Sequence, residues 1–370
     1  MLKRLIQISC FFLFAVVLGV VWFAWYASGP LLMPMNLDAP SSEVQELLAQ
    51  KEGGKHLVFQ SIQAVSKDGV EVEGLLVSTP DNCQFSPTQN RVRDTLKLRG
   101  KLPHLERKEE LVVICTSWDD GQEAALPMAE SLAGAGYTCL IWNTRGKDNA
   151  RQYCSYGLVE YADVSALLDE IEKKQGNLPP VAVVGRGFGS AVLFKAASHD
   201  ARIRCVVSID GFPSLKTIAM RDMEMSLGSP LSFIGYWLLD AGVEMRAGYT
   251  TFDVAPVDDA LKLDYPVMVV CTDEYFFSTL EDNVAIYDSL KNEKKSLVEA
   301  IHEGEDFQAK EKIFTRIVEG KKGQKFEKNY KVKLYSGDDE LQAGIAEWIY
   351  ENTRMPMPKV LNNDSVSFSY

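Results

Sequence analysis

The stretch VAVVGRGFGSAVLFKAA, residues 181–197, has the outline of a strand, a glycine-bounded turn and a helix. A tight turn of this kind presents the side chain at its apex, where acyl-transferring enzymes carry a serine in a G-x-S-x-G pattern. Gly185 and Gly189 are the small flanks such a turn needs, but the apex is Gly187, which has no side chain to attack anything. Ser190 occupies the next helical position, where its hydroxyl should project along the helix instead of from the tip. Cys115 and Ser117 stand near another predicted strand end, and either would need an adjacent base to become a useful nucleophile.

Bases are scarce. His56 precedes the first predicted strand, His104 lies in a polar excursion, His199 follows the helix after the turn, and His302 sits in VEAIHEGEDF. Metal chemistry finds no better footing, because there is no H-x-x-x-H and no close cysteine pair to suggest zinc. The acidic runs Asp119-Asp120, Asp258-Asp259 and Asp338-Asp339-Glu340 could hold a hard cation, although solvated turns account for most such runs. GRGFGS follows a dinucleotide-binding G-x-G-x-x-G only to its second glycine, since Ser190 stands at the third. No cofactor and no metal is expected.

The elements that must position these residues are a regular series. LVVICTSW, YTCLIWN, VAVVG, IRCVVSID and YPVMVVCT are short apolar runs, separated by the helical patterns EAALPMAESLAGAG, YGLVEYADVSALLDEIEKKQG and SAVLFKAAS. Strands buried on both faces and alternating with helices predict a doubly wound, mostly parallel α/β sheet. Before them, VFQSIQAVSKDGVEVEGLLVSTP alternates about Lys67-Asp68-Gly69 as a hairpin. The polar stretch from Asp81 to Glu109 reads as a surface excursion, and the break in pattern at 214–256 as a small helical cap. LEDNVAIYDSLKNEKKSLVEAI reads as a helix; it and the basic stretch FTRIVEGKKGQKFEKNYK precede KVKLYSG, which reads as the last long strand, and LQAGIAEWIYENT as the closing helix.

Composition bounds what this domain can meet. The net charge is −12, and without Lys3 and Arg4 the rest carries −14, which disfavours nucleic acid. After MLKR, the run Leu5–Ala27 is long and apolar enough to cross a bilayer as a helix. Its flanking positive charges keep its start in the cytoplasm and put the globular domain outside. A cleaved signal peptide has the same charge order, but WFAWYASGP makes a poor small-x-small cleavage site, so the run reads as an uncleaved signal anchor. The expected organisation is an anchor at 1–28, a linker at 29–58, a globular domain at 59–355 with its cap, and a tail at 356–370. Seven cysteines are an odd number. Cys115, Cys139, Cys205 and Cys271 lie in apolar strand-like runs and read as buried small hydrophobes, whereas Cys83 and Cys154 lie in loops and could pair in an exported domain.

Taken together, these motifs resemble the α/β-hydrolase superfamily, particularly its dienelactone-hydrolase and prolyl-oligopeptidase-like esterase branches, over roughly residues 59–354. VVICTSWDDGQEAALPMAESLAGAGYTCLIWNTRG resembles the family's strand, His-Gly loop, helix and strand ending in an Asp-x-Arg-Gly turn. FDVAPVDDALKLDYPVMVV is similar to its approach to the acid-bearing strand. The resemblance puts Gly187 in place of the nucleophilic serine, Thr116-Ser117 in place of the His-Gly pair, and Asn143 in place of the aspartate, while Arg145 and Gly146 remain. It gives the acid's position to Asp273 or Glu274, or to Tyr275 without a gap. The histidine's position falls to Glu340 in SGDDEL, or to His302 if AIHEGEDF is laid over the family's histidine loop.

The resemblance therefore implies a pseudo-hydrolase. Its pocket between sheet and cap would bind a small molecule, peptide or glycan, and the helix start at Gly187 would offer amides to an anion. Two other readings stay open: an esterase or peptidase with an unorthodox set such as Asp273 with His302, and a structural interaction module in an envelope assembly.

Overall fold

The computed structural model of this chain describes residues 2–33, 41–49, 54–81, 84–102, 110–117, 121–142, 144–145, 153–272, 278–301, 310–319 and 325–353. Its strands are β1 (Val58–Val65), β2 (Glu71–Ser78), β3 (Leu111–Cys115), β4 (Thr138–Trp142), β5 (Val181–Arg186), β6 (Ile203–Ile209), β7 (Val267–Thr272), β8 (Lys295–Ile301), β9 (Glu311–Glu319) and β10 (Lys325–Ser336). They form one sheet in the order β1-β2-β4-β3-β5-β6-β7-β8-β10-β9. From β4 to β10 the neighbours are parallel. The hairpins β1–β2 and β9–β10, and the pair β2–β4, are antiparallel.

The apolar runs fill two cores because successive residues of a strand point to opposite faces. Val113, Val181 and Val183 enter one core, and their neighbours Val112, Ala182 and Val184 enter the other. Over the first face lie α5 (Tyr161–Gln175), α6 (Phe188–His199), α7 (Leu215–Leu227), α8 (Leu231–Ala247), α9 (Pro256–Ala260) and α10 (Leu280–Ser289). The second face is covered by α2 (Ser42–Ala49), α3 (Pro87–Leu98), α4 (Leu126–Gly134) and α11 (Gly337–Thr353). A helix, α1 (Leu2–Leu32), precedes them all. Its stretch Gln7–Leu32, of mean hydropathy 2.4, is long and apolar enough to span a membrane. Its far end is nevertheless part of the domain: Ser28 and Leu32 are fully buried, and the Tyr156 hydroxyl donates to Leu31 O at 2.8 Å.

Two expectations from the sequence need correction. The run LEDNVAIYDSLKNEKKSLVEAI is a helix only to Ser289, and its second half is β8, with Leu297, Val298 and Ala300 buried. The basic stretch before the predicted last strand holds the end of β9, from Phe314, and the first part of β10, an edge hairpin whose lysines suit strands at a sheet margin. The polar excursion is not wholly on the surface, since α3, capped by Ser86 and Gln89 in a reciprocal pair of hydrogen bonds, buries Val92 and Leu96. The hairpin about Lys67-Asp68-Gly69 forms as expected, with Gly69 at φ +84°.

Arg145, which the resemblance placed in the Asp-x-Arg-Gly turn, is a structural clamp. Its guanidinium binds Asp163 of α5, whose side chain is wholly buried, through Nε at 2.8 Å, and it also binds Asp68 in the β1–β2 turn. Removing one partner of such a pair strands the other charge in the interior. Equally close is the seat of α6. A Cβ on Gly189 would stand 2.0 Å from the carbonyl oxygen of Cys115, and one on Gly185 would stand 2.5 Å from Gly189 O.

Gly189→Ala should destabilise the protein by about 2 kcal/mol, because backbone cannot yield, despite the roughly 1 kcal/mol that alanine gains over glycine in a helix. Thermal unfolding reads the difference. Arg145→Met should cost about 3 kcal/mol in urea unfolding. The hydrogen bond from Arg145 also holds the Asp68 carboxyl below its ordinary value. Its contribution is therefore present above about pH 4 and lost as pH falls through the lower folded value. The stability advantage of the wild type over Asp68→Asn should shrink accordingly in urea titrations taken into acid.

Candidate functional site

In a parallel sheet, ligands collect outside the carboxyl ends of the strands. Here the ends of β3, β5, β6 and β7 open into a crevice of about 290 Å³. Thr116, Arg186 and Thr272 line it from the strand ends, Glu43 from α2, and Asp338 and Gln342 from the start of α11. The crevice runs toward α2, α4 and α11. None of residues 214–256 lines it; a far smaller hollow, of about 10 Å³, lies where Asp253–Pro256 meet Ala191 and Lys195 of α6.

The turn between β5 and α6 has the geometry that the sequence pattern requires. Gly187 sits at its apex with φ +52°, a conformation in which an L side chain is strained. Of the amides at this helix start, that of Gly187 itself donates to Ile209 O at 2.8 Å. The Ser190 hydroxyl donates to Gly185 O at 2.7 Å, so it stitches the helix to the strand and does not project from the tip. Cys115 and Ser117 are both buried. Cys271, at the end of β7, is also buried, and desolvation pushes its thiol up to about 12, which leaves it protonated at neutral pH.

One carboxylate in this region escaped the sequence reading. Asp210 directly follows β6, is wholly buried, and adopts φ +51°. It accepts from Thr272 N at 2.6 Å and Thr272 Oγ1 at 2.7 Å, while Arg186 Nε lies 3.6 Å away. Backbone in this region is uncommon for non-glycine residues, and such outliers gather at functional sites. The signal was present in the sequence as a lone charged residue at the end of an apolar strand, IRCVVSID, before Gly211. Arg186, between two glycines of the turn, was equally legible.

The remaining candidates scatter. Glu340 belongs to the first turn of α11, where it pairs with Arg99 at 3.1 Å and accepts from Ser336 N at 2.8 Å. His199 closes α6, about 16 Å along the helix from the turn, and packs on Tyr161. His56 meets Gln84 O, on the α3 side. In the acidic runs, Asp259 pairs with Lys195 and Lys262, and Asp339 with Arg91. Among the described residues no three potential metal ligands cluster.

Asp273, Glu274, Tyr275, His302, Asn143, Gly146, Asp119, Asp120, His104 and Cys83 lie outside the described residues. In chain order, Asp273 directly follows β7 and His302 directly follows β8. Cys154, the thiol considered for pairing with Cys83, is buried.

No family model matches the chain. An uncharacterized 31.7 kDa protein in the traX-finO intergenic region of Escherichia coli is 21% identical over 253 residues, which cover 57% of this chain and 88% of that protein. Among solved structures, the esterase Pf2001 of Pyrococcus furiosus is similar, with a TM-score of 0.52 at 12% identity over 87% of this chain and 98% of the esterase. A second crystal form of that esterase gives a TM-score of 0.53. The strand order, the glycine-bounded turn after the fifth strand and this likeness establish that the chain has the α/β-hydrolase fold.

Proposed function

We propose that this is a membrane-anchored protein of α/β-hydrolase fold that has given up serine acyl transfer and uses the crevice at Arg186 to bind a small molecule, peptide or glycan. The observation that carries this reading is the apex of the turn, which is Gly187 with Ser190 tied to the backbone beside it. Loss of the nucleophile costs about as much rate as loss of the whole triad, because its members act as a unit. The crevice needs only packing to persist, and its size is at the lower end for a small-molecule site.

Anchoring is supported by the way α1 ends. Ala24, Ser28 and Leu32 are buried against the domain, so a cut behind the apolar run would strip side chains from the core. Lys3 and Arg4 before the run favour an outward-facing globular domain. The unit from 59 to 355, its cap at 214–256 and the linker before it are part of the same proposal, with α2 of that linker packed under α4 through Val44 and Leu47.

A second reading has one observation in its favour: Asp273 and His302 follow β7 and β8, neighbouring parallel strands whose ends share one edge of the sheet. A base there could activate water directly, without a covalent intermediate.

The full-length protein in detergent should take up no fluorophosphonate probe. Covalent labelling that disappears when a single serine is replaced would refute the first reading. For the second, hydrolysis of a simple ester should fall to background in His302→Ala, and an absence of turnover in the unaltered protein would dismiss it.

A further inference from the structure

The cap carries an apolar surface that no other described residue covers. From Met225 to Leu239 the sequence MSLGSPLSFIGYWLL contains no charged residue. Among these residues Leu231, Phe233, Ile234 and Trp237 are exposed, Phe233 by 60% and Trp237 by 48%. Phe252 extends the patch, with its ring 6.0 Å from that of Trp237, and Lys216 Nζ stands 4.5 Å from the centre of the Phe252 ring. Surface hydrophobics scattered singly need no explanation, but a contiguous aromatic face does.

Its position says what meets it. α8 packs directly on the end of α1: a Cβ on Gly242 would stand 2.1 Å from Ala24 O, so only glycine admits this approach. Further along, Arg246 Nη1 donates to Trp25 O at 2.8 Å and lies 3.3 Å from Ser28 Oγ, with its guanidinium 4.7 Å from the centre of the Trp25 ring. Contacts thus advance in the same sense along both helices, from Gly242 at Ala24 to Arg246 at Trp25 and Ser28. The start of α8 therefore points back along the apolar length of α1, reaching up to about 16 Å before the crossing at Gly242. Arg246 and Trp25 mark the level at which a cation and an indole favour the membrane interface.

We propose that the α7–α8 hairpin, tipped by Gly228–Pro230, is a second membrane contact that inserts Leu231, Phe233, Ile234 and Trp237 into the bilayer beside α1. The occupant of the apolar face is lipid, at interfacial depth, and not another protein. An apolar face held next to a spanning helix loses its exposed area to the acyl boundary without any further ordering of the chain. The inference rests on α1 spanning the membrane, and the experiment separates the two.

The full chain, with Cys10→Ser and Cys83→Ser, is reconstituted in phosphatidylcholine vesicles; the other cysteines are buried. A nitroxide is attached in turn at Phe233→Cys, Ile234→Cys, Phe12→Cys in α1 and Leu98→Cys, a position on α3 that is 90% exposed. Collision with oxygen relative to an aqueous nickel chelate should be several-fold higher at 233, 234 and 12 than at 98. If 233 and 234 match 98 while 12 is shielded, the hairpin proposal fails and the anchor stands. Equal nickel access at 12 removes the anchor and the proposal with it. Spin–spin broadening at 233 in dilute vesicles would put a second copy on the patch and likewise overturn the assignment to lipid.

Discussion

Everything at the edge of this sheet depends on how closely α6 sits against β3 and β5. The helix approaches so near that Gly185 and Gly189 are in contact with backbone, leaving no room for a methyl group at either. That approach fixes the turn at Gly187, sets the entry of α6, and aligns the ends of β3, β5 and β6 around one crevice. None of it requires a reactive group. The turn is a packing solution first, and the fold keeps it whether or not a hydroxyl stands at its tip.

The same separation of packing from reactivity appears at Arg145. As a motif it looks like a remnant of catalytic architecture, yet it joins a hairpin turn to α5 by ion pairs with Asp68 and Asp163. Ser190 behaves alike, since its hydroxyl bonds to Gly185 O and thereby satisfies two polar groups inside the core. Residues that could be mistaken for vestiges of chemistry here have present structural employment.

Much of the fold was legible because strands buried on both faces leave uninterrupted apolar runs, and glycine and helix periodicity mark the connections between them. β8 escaped because KSLVEAI, following a lysine-rich turn, continues the spacing of the helix before it; the neighbouring strands β7 and β10 decide its state. α3 escaped because most of its exposed positions are polar, and only Gln89, Val92 and Leu96 are buried. The site was less legible. Gly187 could be placed from its flanks, whereas Asp210 and Arg186 come together only through the parallel register of β5 with β6. The orientation of the crevice toward α2 and α11 brings residues some three hundred positions apart, Glu43 and Asp338, to one lining, which no local pattern encodes.

The end of α1 has a mechanical consequence. Leu31 and Leu32 are held by Tyr156 and Cys154, and Arg246 grips the turn before them, so no swivel separates helix from sheet. A domain on a loose tether takes every attitude relative to its anchor. On the anchored reading proposed above, this one is mounted like a blade in its handle: tilting α1 tilts the sheet, and the mouth of the crevice keeps one angle to the axis of that helix.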